Sequence, residues 1–207
     1  MDNQEDKLTS RPAIAGLVLA GGRSSRFGKP KAHAMLDGVS LMTHVARSLR
    51  NHIGALAVAG DACGPELNAT ALVDPPDIAR GPLAGVLAGL DWATHGGFDW
   101  IATAPCDAPL IPGDMVPRLF DAATSSGARV VLAATSDGWH PLCALWRTDL
   151  AGELRAALAS GRHPSVHGFA ESVGVSIVQF EDAEAFLNIN TPEDFARAQA
   201  IRTRRRS

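Results

Sequence analysis

Ile14-Ala-Gly-Leu-Val-Leu19 leads directly into Ala20-Gly21-Gly22-Arg23-Ser24-Ser25-Arg26-Phe27-Gly28-Lys29-Pro30-Lys31. A short apolar run of Ile, Val and Leu, cut off by glycines, predicts a buried strand feeding a tight turn. Glycine has no Cβ to keep a ligand away from the backbone N–H groups, and four cations follow, Arg23, Arg26, Lys29 and Lys31. Together they predict a phosphate-holding loop at the carboxyl end of a parallel strand, where open α/β sheets bind ligands. Two commoner phosphate loops do not fit. A Walker A loop needs four residues between its glycines and a hydroxyl after its lysine, whereas Gly22 and Gly28 enclose five and Lys29 is followed by Pro30. A dinucleotide fingerprint, G-x-G-x-x-G, is absent from the same stretch.

Outward from this loop the pattern alternates. Ser40 stands at a helix N-cap position, and Leu41, Val45 and Leu49 recur at helical spacing. Ala55–Ala59 reads as a second strand and Ala71–Val73 as a brief third, stopped by Asp74-Pro75-Pro76-Asp77. Pro82 suits the first turn of a helix whose buried face is Leu83, Val86, Leu87 and Leu90, ending at Gly96-Gly97. Trp100–Ala104 is the next strand and runs into Pro105-Cys106-Asp107-Ala108-Pro109. A helix over 113–126, a strand over 128–134, a strand over 142–146, a helix over 149–160 and a strand over 173–180 follow. Thr191-Pro192-Glu193-Asp194 predicts a terminal helix with Thr191 as N-cap and Asp194 as a short capping-box partner. Strands alternating with helices imply an α/β fold, a three-layer α/β/α sandwich on a mostly parallel sheet. The strand near Leu142 and an irregular piece at 161–169 predict an antiparallel excursion.

The 207 residues suit one domain, expected over 13–203, with residues 1–12 as a disordered tail. A 46% apolar and 20% charged composition is that of an ordinary globular protein, and a net charge of −3 argues against nucleic acid as a partner. Cys63, Cys106 and Cys143 are odd in number and widely spaced, which predicts free thiols in a reducing compartment. The polar start has neither a signal peptide's apolar core nor a membrane span, so a cytoplasmic setting without membrane contact is expected.

The run Leu19-Ala-Gly-Gly-x-x-x-Arg26-x-Gly28-x-x-Lys31 resembles the signature loop of nucleotidyltransferases that activate sugars and cofactors with a nucleoside triphosphate. Within that superfamily (Rossmann-like, nucleotide-diphospho-sugar transferase in fold) it is most similar to the molybdenum cofactor guanylyltransferases. The Gly-Gly form points to their guanylyl branch. The resemblance implies transfer of GMP from GTP to the terminal phosphate of molybdenum-loaded molybdopterin with release of pyrophosphate. It also implies a bound magnesium ion. Other cofactor-biosynthesis proteins and molybdoenzyme chaperones are the further partners it brings. It runs from Ile14 to about Arg197, with the N-terminal half expected to hold nucleotide and the C-terminal half the acceptor.

Such chemistry needs the triphosphate fixed and its charge neutralised. Asp107, just past a strand end and between two prolines, matches the family's Pro-Cys-Asp-x-Pro aspartate, which implies a magnesium carboxylate beside both substrates; the structural alternative is an Asx turn. The resemblance makes Lys31 the principal phosphate cation, with Arg26 stabilising charge on the α-phosphate and the leaving pyrophosphate. It implies nucleotide contacts from Leu19, Ala20, Gly21, Gly22 and Asp74. Gly81, Pro82 and Leu83 would line the base pocket, as part of a Gly-Pro-Leu-Ala-Gly motif. Asn188 and Asn190, in Asn-x-Asn-Thr-Pro-Glu, are implied acceptor contacts. His140-Pro141 resembles a step on the molybdopterin side, with a surface histidine as the alternative. His163 and His167 are four apart but lack a third ligand and read as non-metal residues. Pro30 and Ala59 depart from the family, which commonly has an acidic residue and an asparagine there. Three other readings stay open: a cytidylyltransferase of the same cofactor, a sugar-phosphate nucleotidyltransferase, and a carrier that delivers the cofactor without catalysis.

Overall fold

A computed structural model describes residues 13–20, 34–60, 65–76, 78, 81–161 and 164–206. Its centre is β1 (Ile14–Leu19), buried along its whole length. Because side chains alternate across a strand, Ile14 and Val18 join one core cluster while Ala15, Leu17 and Leu19 join the other. A strand apolar on both faces must be covered on both, and the helices divide accordingly. α1 (Leu41–Arg50) and α3 (Met115–Ser126) cover the first face, and α2 (Pro82–His95), α4 (Ala151–Ala159) and α5 (Val166–Ser172) the second. The three layers expected from the alternation of strands and helices are present.

The sheet of the described residues also holds β4 (Ala55–Ala59), β5 (Thr70–Leu72), β6 (Trp100–Pro105), β7 (Val130–Thr135), β8 (Gly138–Arg147) and β9 (Val175–Gln179). Its order is β5-β4-β1-β6-β8-β7-β9, and β8 alone runs against its neighbours. The chain goes from β1 outward through β4 to β5 and then returns to β6 on the other side of β1. This reversal of winding opens a crevice at the carboxyl ends of β1 and β6.

Several elements differ from expectation. The third strand lies one residue earlier, at Thr70–Leu72, so Val73 is out of the ladder and 87% exposed. The stretch expected to be irregular at 161–169 contains the start of α5, N-capped by Ser165, whose Oγ accepts from Gly168 N–H at 3.0 Å. β8 is twice the length of its apolar core because its first residues pair with β7 alone. A small hairpin, β2 (Met35–Leu36) with β3 (Val39–Ser40), precedes α1. It was not foreseen, since two-residue strands carry no periodicity. The terminal helix α6 (Pro192–Arg204) begins with the expected capping box.

α2 lies very close to the sheet because two glycines, four apart, share its inner face. A Cβ on Gly89 would come within 2.4 Å of Leu17 Cδ2, and one on Gly85 within 3.0 Å of Leu19 Cδ2 and 3.2 Å of the Ala59 Cβ. Leu17 is fully buried and has little room to move. Gly89→Val is therefore expected to destabilise the fold by about 1–3 kcal/mol through overpacking, measured by urea unfolding. Gly81→Ala should leave the midpoint unchanged, because its backbone is extended and a Cβ there meets nothing within 4 Å. An unshifted midpoint for Gly89→Val would contradict this close packing.

Candidate active site

The carboxyl rim is stitched together by backbone hydrogen bonds beyond the strands. Ala20 N–H donates to Ala59 C=O at 2.8 Å, and Cys106 N–H donates to Leu19 C=O at 3.0 Å. The second bond holds the loop after β6 against the end of β1, so Asp107 stands beside the strand that feeds the glycine-rich loop. Gly21, Gly22, Arg26 and Lys31 lie outside the described residues, as do Arg23, Lys29, Pro30, Asp61, Arg80, Arg162 and His163.

On one side of β1 the structure groups Leu19, Ala59, Asp74 and the first turn of α2. Gly85 faces Leu19 and Ala59, and Asp74 Oδ1 lies 3.9 Å from where a Cβ on Gly85 would be. The Asp74 side chain thus overhangs the start of α2, where Gly81 and Pro82 are exposed and Leu83 is buried. Pro82 has no N–H to leave unpaired, and Ala84 and Gly85 N–H both turn back to Gly81 C=O. Ala59 is buried beneath this turn at 2% exposure, and its small side chain leaves room for the close approach of Gly85.

On the other side, Ile189 N–H donates to Asp107 C=O at 2.8 Å. Ile189 is buried, whereas Asn188 and Asn190 on either side are exposed, so one main-chain bond sets both amides at the rim beside Asp107. The capping box fixes the next residues: Asn190 and Thr191 N–H donate to Asp194 Oδ2 at 2.8 and 2.9 Å, and Asp194 N–H donates to Thr191 Oγ1 at 3.1 Å. The Asp194 carboxylate stays below its usual range, chiefly because Asn190 N–H donates to it, with Thr191 adding to the effect.

Asp107 also acts inward. Burial pushes the Cys143 thiol up to about 12, and the negative charge of Asp107 adds to the rise. Among the described residues Cys143 and Cys106 are not in a disulfide; Cys63 lies outside them. Among the described residues no group of three His, Cys, Asp or Glu side chains could hold a metal ion, and no helix is long and apolar enough to cross a membrane.

His140 sits at the same rim. Its Nε2 is 2.9 Å from Thr135 Oγ1, and its ring stacks on Phe186 with centroids 4.6 Å apart and planes at 16°. Burial holds it below its ordinary value, with the Asp137 charge opposing. Its neighbour Trp139 carries no sequence signal, since an aromatic side chain opening a strand reads as core, yet it is exposed. The His167 ring stacks on Trp139, and its proposed neighbour His163 lies outside the described residues.

The MobA-like NTP transferase domain matches residues 16–173. The chain belongs to the MobA-like NTP transferase family. A molybdenum cofactor guanylyltransferase from Cereibacter sphaeroides is 41% identical over 190 residues, covering 91% of this chain and 96% of its own. One from Rhodopseudomonas palustris strain HaA2 is 37% identical over 205 residues, covering 95% and 96%. Among solved structures, the molybdopterin-guanine dinucleotide biosynthesis protein A of Archaeoglobus fulgidus superposes with a TM-score of 0.72 at 24% identity, over 92% of this chain and 99% of that one. This last likeness is one of fold, a nucleotidyltransferase fold of the Rossmann-like kind. In this MobA-like chain the matched span begins within β1 and ends just before β9, so the last strand and Asn188–Asn190 lie beyond it.

The depressed Asp194 carboxylate gives a pH dependence with a definite sign. A group whose folded pKa lies below its unfolded value contributes stability above the ordinary aspartate range, near pH 4, and loses it as pH falls through the folded value. Asp194→Asn should therefore lower the unfolding midpoint at pH 7 but converge with the wild type in strong acid. Parallel curves over that window would contradict the capping-box reading.

Proposed function

We propose that this chain transfers GMP from GTP to the terminal phosphate of molybdenum-loaded molybdopterin, forming the guanine dinucleotide cofactor and pyrophosphate. The observation that carries the reading is the position of Asp107. One carboxylate stands between the Leu19–Asp74–α2 side of the crevice and the Asn188–Asn190 side, in a chain closely related to guanylyltransferases. Residues 13–203 act as one domain, nucleotide on the first side and acceptor on the second.

Leu19, Ala20, Gly21, Gly22 and Asp74 contact the nucleotide, and Gly81, Pro82 and Leu83 border the base. Asn188 and Asn190 hold the acceptor phosphate. An oxygen of that phosphate bonds to the α-phosphorus in line as the bond from α-phosphorus to the bridging oxygen breaks. Pyrophosphate then departs with the bonding pair, so no protein nucleophile is needed. Arg26 and Lys31 neutralise the charge that grows on the α-phosphate and the leaving group.

The residues present fit magnesium. This ion is usually held by one or two carboxylates together with substrate phosphates, not by an all-protein cage, and a rim carboxylate such as Asp107 offers that. When bound there, magnesium would neutralise phosphate charge. A cytoplasmic setting, with other cofactor-biosynthesis proteins and molybdoenzyme chaperones as partners, goes with the same reading.

The test is pyrophosphate release from each of the four nucleoside triphosphates, with magnesium and molybdenum-loaded molybdopterin. Release is expected with GTP alone. Asp107→Ala should reduce kcat by roughly 10²-fold or more, the scale of losing a charge-stabilising group. The fold should survive, because Ile189 bonds the main-chain carbonyl of Asp107 and not its side chain. Release with CTP would move the chain to a cytidylyltransferase, and no release with any nucleotide would leave a carrier.

A further inference from the structure

Among the described residues three large apolar side chains are exposed, Met35, Val73 and Trp139, and Trp139 is the aromatic one. Its position follows from an irregularity in β8. The β6–β8 ladder ends at Thr103↔Ala144, and on the other edge the pairs Leu132↔Ala144 and Ala133↔His140 are consecutive on β7. Residues 141–143 of β8 are therefore extra. Pro141 lacks an N–H to pair and is at home in such a bulge. The Leu142 carbonyl is satisfied by the Thr103 hydroxyl at 2.8 Å, which in turn accepts from Trp146 Nε1 at 3.1 Å.

Past the bulge the β7–β8 hairpin overshoots the end of β6 onto the carboxyl rim. Pairing puts His140 opposite Ala133 and Trp139 opposite Ala134, so the two rings emerge on opposite faces of the sheet. His140 lies on Phe186. Trp139 lies on His167 of α5, with centroids 4.2 Å apart and planes at 18°. The His167 ring is steadied by Glu171 at 3.2 Å, and α5 is pinned to the sheet by buried Phe169, which stacks on Trp146 at 6.5 Å. The indole is thus a rigid plate backed on one side, yet it keeps 38% exposure.

We infer that Trp139, backed by His167, is a stacking platform for the flat pterin ring of the acceptor and a specificity-determining residue for it. The inference rests on the proposed function. Neighbouring strands lie about 4.8 Å apart, so β8 is about 10 Å from β1 and about 19 Å from β5 in the observed order. The proposed guanine side of the crevice extends from β1 to β4 and β5, which are three and four strands away from this ring. Asp107, at the end of β6, lies between. A substrate with its phosphate at Asp107 and a planar heteroaromatic group toward β8 meets the plate. Stacking suits a planar ring system because it needs a π-face and little conformational ordering, the indole having only two side-chain torsions.

The experiment compares wild type, Trp139→Leu and Trp139→Phe. Stacking on one aromatic plate is worth about tenfold or more in affinity. Trp139→Leu should raise the KM for molybdopterin at least about tenfold on that scale, with the KM for GTP unchanged. Trp139→Phe should restore most of the loss. Independently of turnover, free 6-carboxypterin titrated into the full chain should quench tryptophan fluorescence saturably, and Trp139→Leu should abolish the saturable part. An unchanged acceptor KM, a GTP KM that rises in step with it, or equal quenching in Trp139→Leu would overturn the platform. Absence of pyrophosphate release by the wild type would overturn the proposed function instead, and the quenching titration would still decide the platform.

Discussion

The hydrogen bond from Ile189 N–H to the Asp107 carbonyl joins the two halves of this molecule at its most consequential point. Its net worth is modest, about 1 kcal/mol for a typical intramolecular bond; its value is positional. Ile189 is buried in a third cluster with Leu36, Leu41, Leu110, Ala198 and Ile201, so the β2–β3 hairpin, the start of α1, the loop after β6 and α6 converge on it. The capping box at Thr191 and Asp194 then starts α6 immediately beyond. Asn188 and Asn190 are left at the rim with little freedom of placement, although both are exposed.

The two sides of the crevice are built by different means. On the β1–β4 side, close packing sets the geometry: Gly85 and Gly89 remove the side chains that would hold α2 off the sheet, so its first turn reaches Leu19, Ala59 and Asp74. On the β8 side a strand irregularity sets it. Three extra residues adjoin the regular pairs that carry the hairpin past β6, where strand alternation puts Trp139 and His140 on opposite faces. The Asp107 segment is tied to the first arrangement through Cys106 and β1, and separately to the start of α6 through Ile189.

Much of this was legible in the residues. The continuous apolar run Ile14–Leu19 declared a strand buried on both faces, and Thr191-Pro192-Glu193-Asp194 declared a helix start, because each carries its cause in local chemistry. Asp107 stood out for the same reason, a carboxylate between prolines at a strand end. What periodicity could not show is what depends on distant partners. The β2–β3 hairpin is too short for any pattern, and α5 was obscured by Pro164 and Gly168 close to its start. The bulge at 141–143 exists only in relation to β7, so the exposure of Trp139 and its pairing with His167 were invisible until the strands were aligned. The joining of Asn188–Asn190 to Asp107 spans 82 residues of sequence and rests on one backbone bond (Ile189 to Asp107) that no motif records.

The most direct test of the account follows the atoms of GTP. Protein, magnesium and molybdenum-loaded molybdopterin would be incubated with GTP labelled on the α-phosphorus, and in a parallel reaction on the γ-phosphorus, and the products separated. The account predicts that the α-label appears in the molybdopterin dinucleotide and the γ-label in pyrophosphate. Recovery of the α-label only as free GMP, GDP or unreacted GTP, with none on the pterin, would contradict it.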